Sequence, residues 1–276
     1  MSDILFDILT AKKKEVADQR KKVALPDLQR QIEGLPRCRN FYRTMTKKNP
    51  RGINVVAEIK RDSPSAGLMR ADFDPVQLAQ IYQAAGADAL SVLTDEKFFQ
   101  GRLEYLTHVK EAVSLPVLRK DFIIDPYQIY QSRAAGADAV LLIAEALSPG
   151  QLMDLMILAN SLTLTVLLEV HELDSLLQVR SMVGWPQPCY SLLGINNRNL
   201  KTLEVDLNTS IRLSEFVDNK KELISESGVK QRRDVERLIE AGFCGILIGE
   251  SLMRCGDVAA GFAELFGPRG EADHGR

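Results

Sequence analysis

Cysteine and histidine are scarce, and the few present are poorly spaced for metal. The four cysteines, Cys38, Cys189, Cys244 and Cys255, include no C-x-x-C pair, so they read as buried or incidental thiols rather than zinc ligands. The histidines are His108, His171 and His274, the last inside a polar EADHGR tail. That supply leaves no histidine-rich metal site and little support for a Ser-His-Asp triad. A G-x-G-x-x-G phosphate loop is missing as well. No apolar run is long enough to span a bilayer, so no membrane contact is expected. Neither sign of charge dominates: 35 Lys and Arg stand against 37 Asp and Glu, for a net charge of -2. There is thus no electrostatic case for nucleic acid. The first residues, MSDILFDILTAKKKEV, carry acids early and lack the long apolar core of a secretory signal, which places the expected location in the cytoplasm.

What is present suffices for a large core: 276 residues, 45% hydrophobic and 26% charged. AAGADAL at 84–90 returns as AAGADAV at 134–140 and, more weakly, as EAGFCGI at 240–246. Their glycines, Gly86, Gly136 and Gly242, are spaced as two and four units of a repeat of about 25 residues, the size of a βα unit. In each copy a helix ends, glycine takes the left-handed cap position, and an apolar strand begins. Asp74-Pro75, Asp125-Pro126 and Ser148-Pro149 each set a cap residue before a proline at the first helical position. Apolar runs near 54–60, 88–93, 116–121, 138–143, 163–169, 190–196, 222–226 and 243–248 predict strands, alternating with amphipathic helices such as 231–241. Eight strands buried on both faces, each followed by a helix, predict an α/β fold of the (β/α)8 TIM-barrel type. An open doubly wound sheet is the runner-up. Residues 1–50 fall outside the repeat. They predict an N-terminal helical extension packed on the barrel, with an apolar stripe at Ile4, Leu5, Ile8 and Leu9. Its basic runs, Lys12–Lys14 and Arg20–Lys22, read as a solvated helix face. The barrel is expected to span 51–266, and 267–276 to form a flexible tail.

The stretch NVVAEIKRDSP, 54–64, begins as a core strand yet ends in an acid and a base on one face, Glu58 and Lys60. In a barrel of this type the site gathers at the C-terminal ends of the strands. The third predicted strand supplies Lys120 there, with Arg119 and Asp121 on its other face. The fifth supplies Glu169, the sixth Asn196 and then Arg198, the seventh Glu226, Ser227 and Gly228, and the eighth Gly249. One such residue alone is an ordinary strand end emerging into solvent. Charges at five of eight ends, all facing inward, require pairing, because an unpaired buried charge costs several kcal/mol. They therefore point to acid–base catalysis, with carboxylates holding the lysines charged as proton donors. Ser227-Gly228 and Gly249, after the last two strands, stand where barrels of this type commonly bind phosphate through backbone N–H groups, and Arg198 can add a bidentate contact.

The motifs AEIKRDSPS, LTDEKFFQG, RKDF, LLEVH, GINNRNL, SESG and LIGESLMR, in this order, resemble the indole-3-glycerol phosphate synthase family of tryptophan biosynthesis. The resemblance runs from about residue 5 to residue 262 and includes the extension. It implies ring closure of 1-(2-carboxyphenylamino)-1-deoxyribulose 5-phosphate with loss of CO2 and water, without cofactor or metal. It implies Lys120 as the general acid on the substrate ketone. Lys60 becomes a partner of the substrate's carboxylate or phosphate and a candidate acid for the dehydration. Glu169 and Glu58 become the acid–base carboxylates, Asn196 and Ser227 orient hydroxyl groups, and Glu226 supports them. Arg198, Gly228 and Gly249 are implied to hold the phosphate, with Glu250 offering its backbone N–H and its carboxylate turned away. Phe99, Phe122, Leu141 and Leu200 are implied to wall the anthranilate ring, and Ser63 to lie beside the substrate carboxylate. The implied partner is a phosphorylated small molecule, and the chain is expected to act as a monomer.

Other readings compete. A sister barrel, phosphoribosylanthranilate isomerase, needs a cysteine in strand 1 that this sequence does not offer, and the chain is too short for a fusion of both activities. A Schiff-base aldolase would use Lys120 or Lys60 as its amine. A retired barrel acting as a scaffold would have no reason to keep five buried ionisable groups. The extension's basic and apolar faces also suit docking over the barrel mouth as a lid.

Overall fold

The structure, a computed structural model, describes residues 4–65 and 67–267. Eight parallel strands close into one barrel: β1 (Asn54–Ile59), β2 (Ala89–Leu93), β3 (Val117–Lys120), β4 (Ala139–Ile143), β5 (Thr165–Val170), β6 (Ser191–Asn196), β7 (Leu223–Glu226) and β8 (Gly245–Ile248). Closure occurs where β1 pairs with both β2 and β8, in the registers Val56↔Ala89 and Asn54↔Gly245. All eight expected strands are present, each within two residues of its expected ends. Helices cover the outside, and the signals that start and stop them act as read. Asp74 accepts from the backbone N–H of Val76 and Gln77, Asp125 accepts from that of Tyr127, and Ser148 forms a capping box with Gln151. Gly86, Gly136 and Gly242 adopt positive φ of 99°, 90° and 89° as the helices turn back into strands.

Strand alternation sorts the barrel into two cores. Val55, Ala57 and Ile59 of β1 face outward into the layer beneath the helices, while Val56 belongs to the barrel interior. The interior is packed at mid-height by Leu118, Leu141, Leu167, Ile224 and Leu247. Lower down it is closed by a helix of the extension, α3 (Phe41–Thr46), through Phe41 and Met45, neither of them exposed to solvent. Gly245 is required at that floor, since a Cβ there would lie 2.5 Å from Met45 Cε. A packed floor leaves only the upper rim free for polar side chains, and it is there that the inward positions turn from apolar to charged.

The rest of the extension climbs the outside. Helices α1 (Ile4–Lys22) and α2 (Leu25–Ile32) lie against the helix Pro126–Ala134, where Val16 and Leu28 bury Tyr127. The basic run is not uniformly solvated. Lys13 and Lys14 are exposed, but Lys12 is buried, with Nζ 2.8 Å from Asp95, 2.9 Å from Asp121 and 2.9 Å from Glu15. Three carboxylates, two of them on loops at the barrel mouth, draw the lysine inward against its desolvation. Most of the expected tail, 268–276, lies outside the described residues.

Candidate active site

At the rim the first acid–base pair is β1's own. Glu58 is buried, and Lys60 Nζ donates to its Oε1 at 2.6 Å. Gly249 follows β8 and lies directly against this carboxylate. A Cβ there would stand 2.6 Å from Glu58 Oε1, so this glycine makes room for the acid as well as for a turn.

Across the mouth, Lys120 of β3 donates to Glu169 Oε2 of β5 at 2.7 Å and lies 3.5 Å from Glu226 Oε2 of β7. Burial alone would push Lys120 down, but the charges of Glu169 and Glu58 hold it above the usual lysine value, as a stable ammonium. The two carboxyls divide in the opposite sense. Burial would raise Glu169, yet Lys120 and His171 outweigh it and hold Glu169 well below the usual carboxylate range. Glu226 is pushed well above that range by burial and then by the charge of Glu169. Neither of its carboxyl oxygens finds a hydrogen-bond partner among the described residues. Glu226 is therefore a neutral acid beside an ionised one. Gly194 of β6 accommodates it, because a Cβ at that position would collide with Glu226 Oε1.

Between β6 and β8 the rim changes character. Asn196 Oδ1 accepts from the backbone N–H of Arg198 at 3.0 Å, and Arg198 Nη1 reaches Ser65 Oγ at 2.9 Å. Ser227 holds a left-handed φ of 66°, an uncommon conformation for a side-chain-bearing residue, followed by Gly228 at 88°. Asn197 pins this turn, donating from Nδ2 to Ser225 Oγ at 3.0 Å and to the carbonyls of Glu226 at 3.1 Å and Ser227 at 2.9 Å. Lys60, Arg198, Ser227, Gly228, Gly249 and Glu250 line a cavity of about 570 Å³. The Glu250 carboxylate is not turned away as expected. Its Oε2 accepts from Arg198 Nη2 at 3.1 Å, and its Oε1 lies 3.4 Å from Arg254, two guanidinium charges that draw it to the cavity edge.

A second, tighter cavity of about 110 Å³ adjoins the first, sharing Glu58, Lys60, Arg198 and Ser227. Lys120, Glu169, Asn196 and Glu226 form its polar side, and Phe99, Phe122, Leu141 and Leu200 its apolar side. The rings of Phe99 and Phe122 lie 6.1 Å apart at 35°, leaving a flat apolar slot. Ser63 is placed elsewhere. It is buried in a short ribbon, Asp62–Ser63 against Gly67–Leu68, with Oγ 3.5 Å from Ser65 Oγ, and it is Pro64 and Ser65 that line the larger cavity.

A polar and an apolar compartment joined over a lysine–carboxylate set can hold an aryl group at one end, an anion at the other, and move protons between them. The indole-3-glycerol phosphate synthase family model matches residues 5–265. The chain belongs to this family. A relative of that name from Polaromonas naphthalenivorans (strain CJ2) is 45% identical over 97% of this chain and its own full length. One from Neisseria meningitidis is 46% identical over 96% of this chain and 100% of the relative. Among solved structures, a mutant tryptophan synthase alpha-subunit from Pyrococcus furiosus superposes with a TM-score of 0.56 at 11% identity, covering 78% of this chain and 98% of that one. The N-acetylmannosamine-6-phosphate 2-epimerase from Clostridium perfringens gives 0.55 at 12% identity, covering 72% and 86%. At such identities these neighbours speak for the barrel alone.

Within this family frame, four residues around the site escaped the sequence reading. His171 and Glu145 form an ion pair beside Glu169, Gly194 makes space for Glu226, and Asn197 braces the Ser227 turn. His171 stands two residues after Glu169, just past the end of β5, and that spacing was the available signal. The other three are fixed by contacts between strands, which spacing along the chain does not reveal.

Proposed function

We infer that this chain carries out the reaction of its family, converting 1-(2-carboxyphenylamino)-1-deoxyribulose 5-phosphate to indole-3-glycerol phosphate. The single observation that carries this reading is the convergence of Lys120 on two carboxyls of opposite protonation, Glu169 and Glu226, beside an apolar slot. We propose that the substrate's aryl ring lies against Phe99, Phe122, Leu141 and Leu200, and that its phosphate sits near Arg198, Gly228, Gly249 and the Glu250 backbone. Lys60, shared by both cavities, is in reach of the aryl carboxylate or of the phosphate end.

The proposed chemistry is a sequence of proton transfers. The ring carbon bearing the carboxylate bonds to the ketone carbon while Lys120 gives its proton to the ketone oxygen, which becomes a hydroxyl. CO2 leaves, and its electron pair restores the aromatic ring. The nitrogen lone pair then helps the hydroxyl depart as water, on a proton from Lys60. Glu169 and Glu58 stabilise the resulting cation, and one of them removes the last ring-carbon proton. Glu226, protonated and with neither carboxyl oxygen hydrogen-bonded among the described residues, is suited to donate to a substrate hydroxyl, alongside Asn196 and Ser227. Ser63 would act on the carboxylate only through the ribbon that carries Ser65.

We propose further that one chain suffices, since every group named above comes from it, and that it works in the cytoplasm, where its four unpaired cysteines would remain reduced. Among the described residues no helix is long and apolar enough to cross a membrane. Incubating the purified protein with the substrate should release CO2 and fluorescent indole product in equal amounts. CO2 without indole, or neither product, overturns the reading.

A further inference from the structure

His171 is a buried ionisable group beside Glu169 that the chemistry above leaves without a task. It is 8% exposed, and its ring is held between the turn after β4 and the end of β5. Glu145, in a single turn after β4, accepts from the His171 backbone N–H at 2.9 Å through Oε1 and contacts ring Nδ1 at 3.1 Å through Oε2. On the other edge Nε2 lies 3.1 Å from Glu169 Oε1, close enough for an ion pair though bent away from hydrogen-bond alignment. A neutral imidazole has one donor nitrogen and one acceptor nitrogen. Here an ionised carboxylate faces each nitrogen, so a lone pair on either would oppose a negative charge. Only the imidazolium satisfies both.

The position matters because Glu169 has two oxygens and two cations. Oε2 is taken by Lys120 at 2.7 Å and Oε1 faces His171, so the carboxylate is held from both ends. We propose that His171, clamped by Glu145, is a positioning residue that keeps Glu169 ionised and aimed at Lys120, making Glu145–His171–Glu169–Lys120 one alternating chain of charges. The proposal rests on the reaction assigned above and adds a control element to it.

The surrounding charges agree with this. Glu145 and Glu169 touch the ring; Lys120 and Glu226 stand behind Glu169; Glu172, Lys201, Glu204, Asp206 and Arg212 share with His171 and Glu145 the wall of an adjoining cavity of about 400 Å³. Burial would lower His171, but Glu145 and Glu169 outweigh it and raise it to about 9. Glu145 in turn is held below its ordinary value: burial would raise it, and the His171 contacts prevail.

Two measurements test the proposal. Nitrogen NMR of the unliganded protein, with the His171 signals assigned by their loss in His171→Gln, should show both ring nitrogens protonated at pH 7 and titrating near 9. A neutral ring at pH 7 overturns the proposal whether or not the enzyme turns over. In steady-state kinetics, His171→Gln that retains the native circular dichroism should lower kcat roughly tenfold or more while KM moves less than about twofold. Its acid limb should shift to higher pH, because Glu169 has lost a cation. Glu145→Gln, outside the catalytic cavity, should move the alkaline limb below 9 by removing the anion that stabilises the imidazolium. Profiles for both variants that superimpose on wild type sink the inference and leave the reaction standing. A silent wild type sinks the reaction assignment instead.

Discussion

At the scale of single residues, the site works by giving like groups unlike surroundings. Glu169 and Glu226 are both buried carboxyls of the same inner rim, yet one is ionised between Lys120 and His171 and the other is kept neutral by burial and by the charge of Glu169. Glu250 shows the same dependence at the proposed phosphate end. Its carboxylate competes for the guanidinium of Arg198 that a phosphate would need. Glu250→Ser should therefore lower KM by up to about fivefold, the worth of a part-exposed ion pair of ~0.2–1 kcal/mol, with kcat little changed. Steady-state kinetics at fixed ionic strength checks this, and a raised KM would mean that Glu250 instead orients Arg198. The charged residues at strand ends were legible in the sequence because the strand period alone places Glu58, Lys60, Lys120, Glu169 and Glu226 on one inner face. The direction of the Glu250 side chain was not legible, because it depends on Arg198 and Arg254, distant in sequence or on a neighbouring turn.

At the scale of elements, α1 is tied to the mouth by one buried charge. Lys12 joins Asp95 of the loop after β2 to Asp121 of the loop after β3, and Arg119 meets Asp121 from the other side at 2.8 Å. Asp121 follows directly on Lys120, so the clasp also steadies the proposed proton donor. Lys12→Met would leave these acids uncompensated and should lower unfolding stability by about 3–5 kcal/mol near neutral pH. Lys12 is held above its ordinary 10.5, so its contribution is full below that value and fades only at higher pH. Burial would raise Asp121, but Lys12 and Arg119 depress it below its ordinary 3.8; its contribution is thus present above that value and is lost in acid. Denaturant melts should show the penalty of the variant steady from about pH 5 to 10 and shrinking below about pH 4. A pH-independent penalty would assign Lys12 a packing role only. The sequence reading took Lys12 with Lys13 and Lys14 as one exposed face. Only Lys12 continues the stripe of Leu5, Ile8 and Val16, and that stripe of buried positions was the overlooked sign.

At the scale of the whole molecule, the extension reaches both ends of the barrel: Leu5 and Lys12 near the mouth, Phe41 and Met45 in the floor. The barrel itself could be read from repeated glycines, proline-marked helix starts and eight apolar runs, since each is a local signal. The floor could not, because Phe41 is joined to the interior by contacts far along the chain. Phe41→Ala should cost about 3–5 kcal/mol of stability while leaving KM and kcat within about twofold at temperatures where the variant is folded. A selective change in KM would instead couple the floor to the site. Lys120, held as an ammonium by Glu169 and Glu58, is the proposed acid for ring closure. The most direct test follows indole fluorescence for wild type beside Lys120→Ala, both verified as folded. Steady product is expected from wild type, and a loss of about 10²–10⁴-fold or more in kcat from the variant. A folded Lys120→Ala that turns over at the wild-type rate would contradict it.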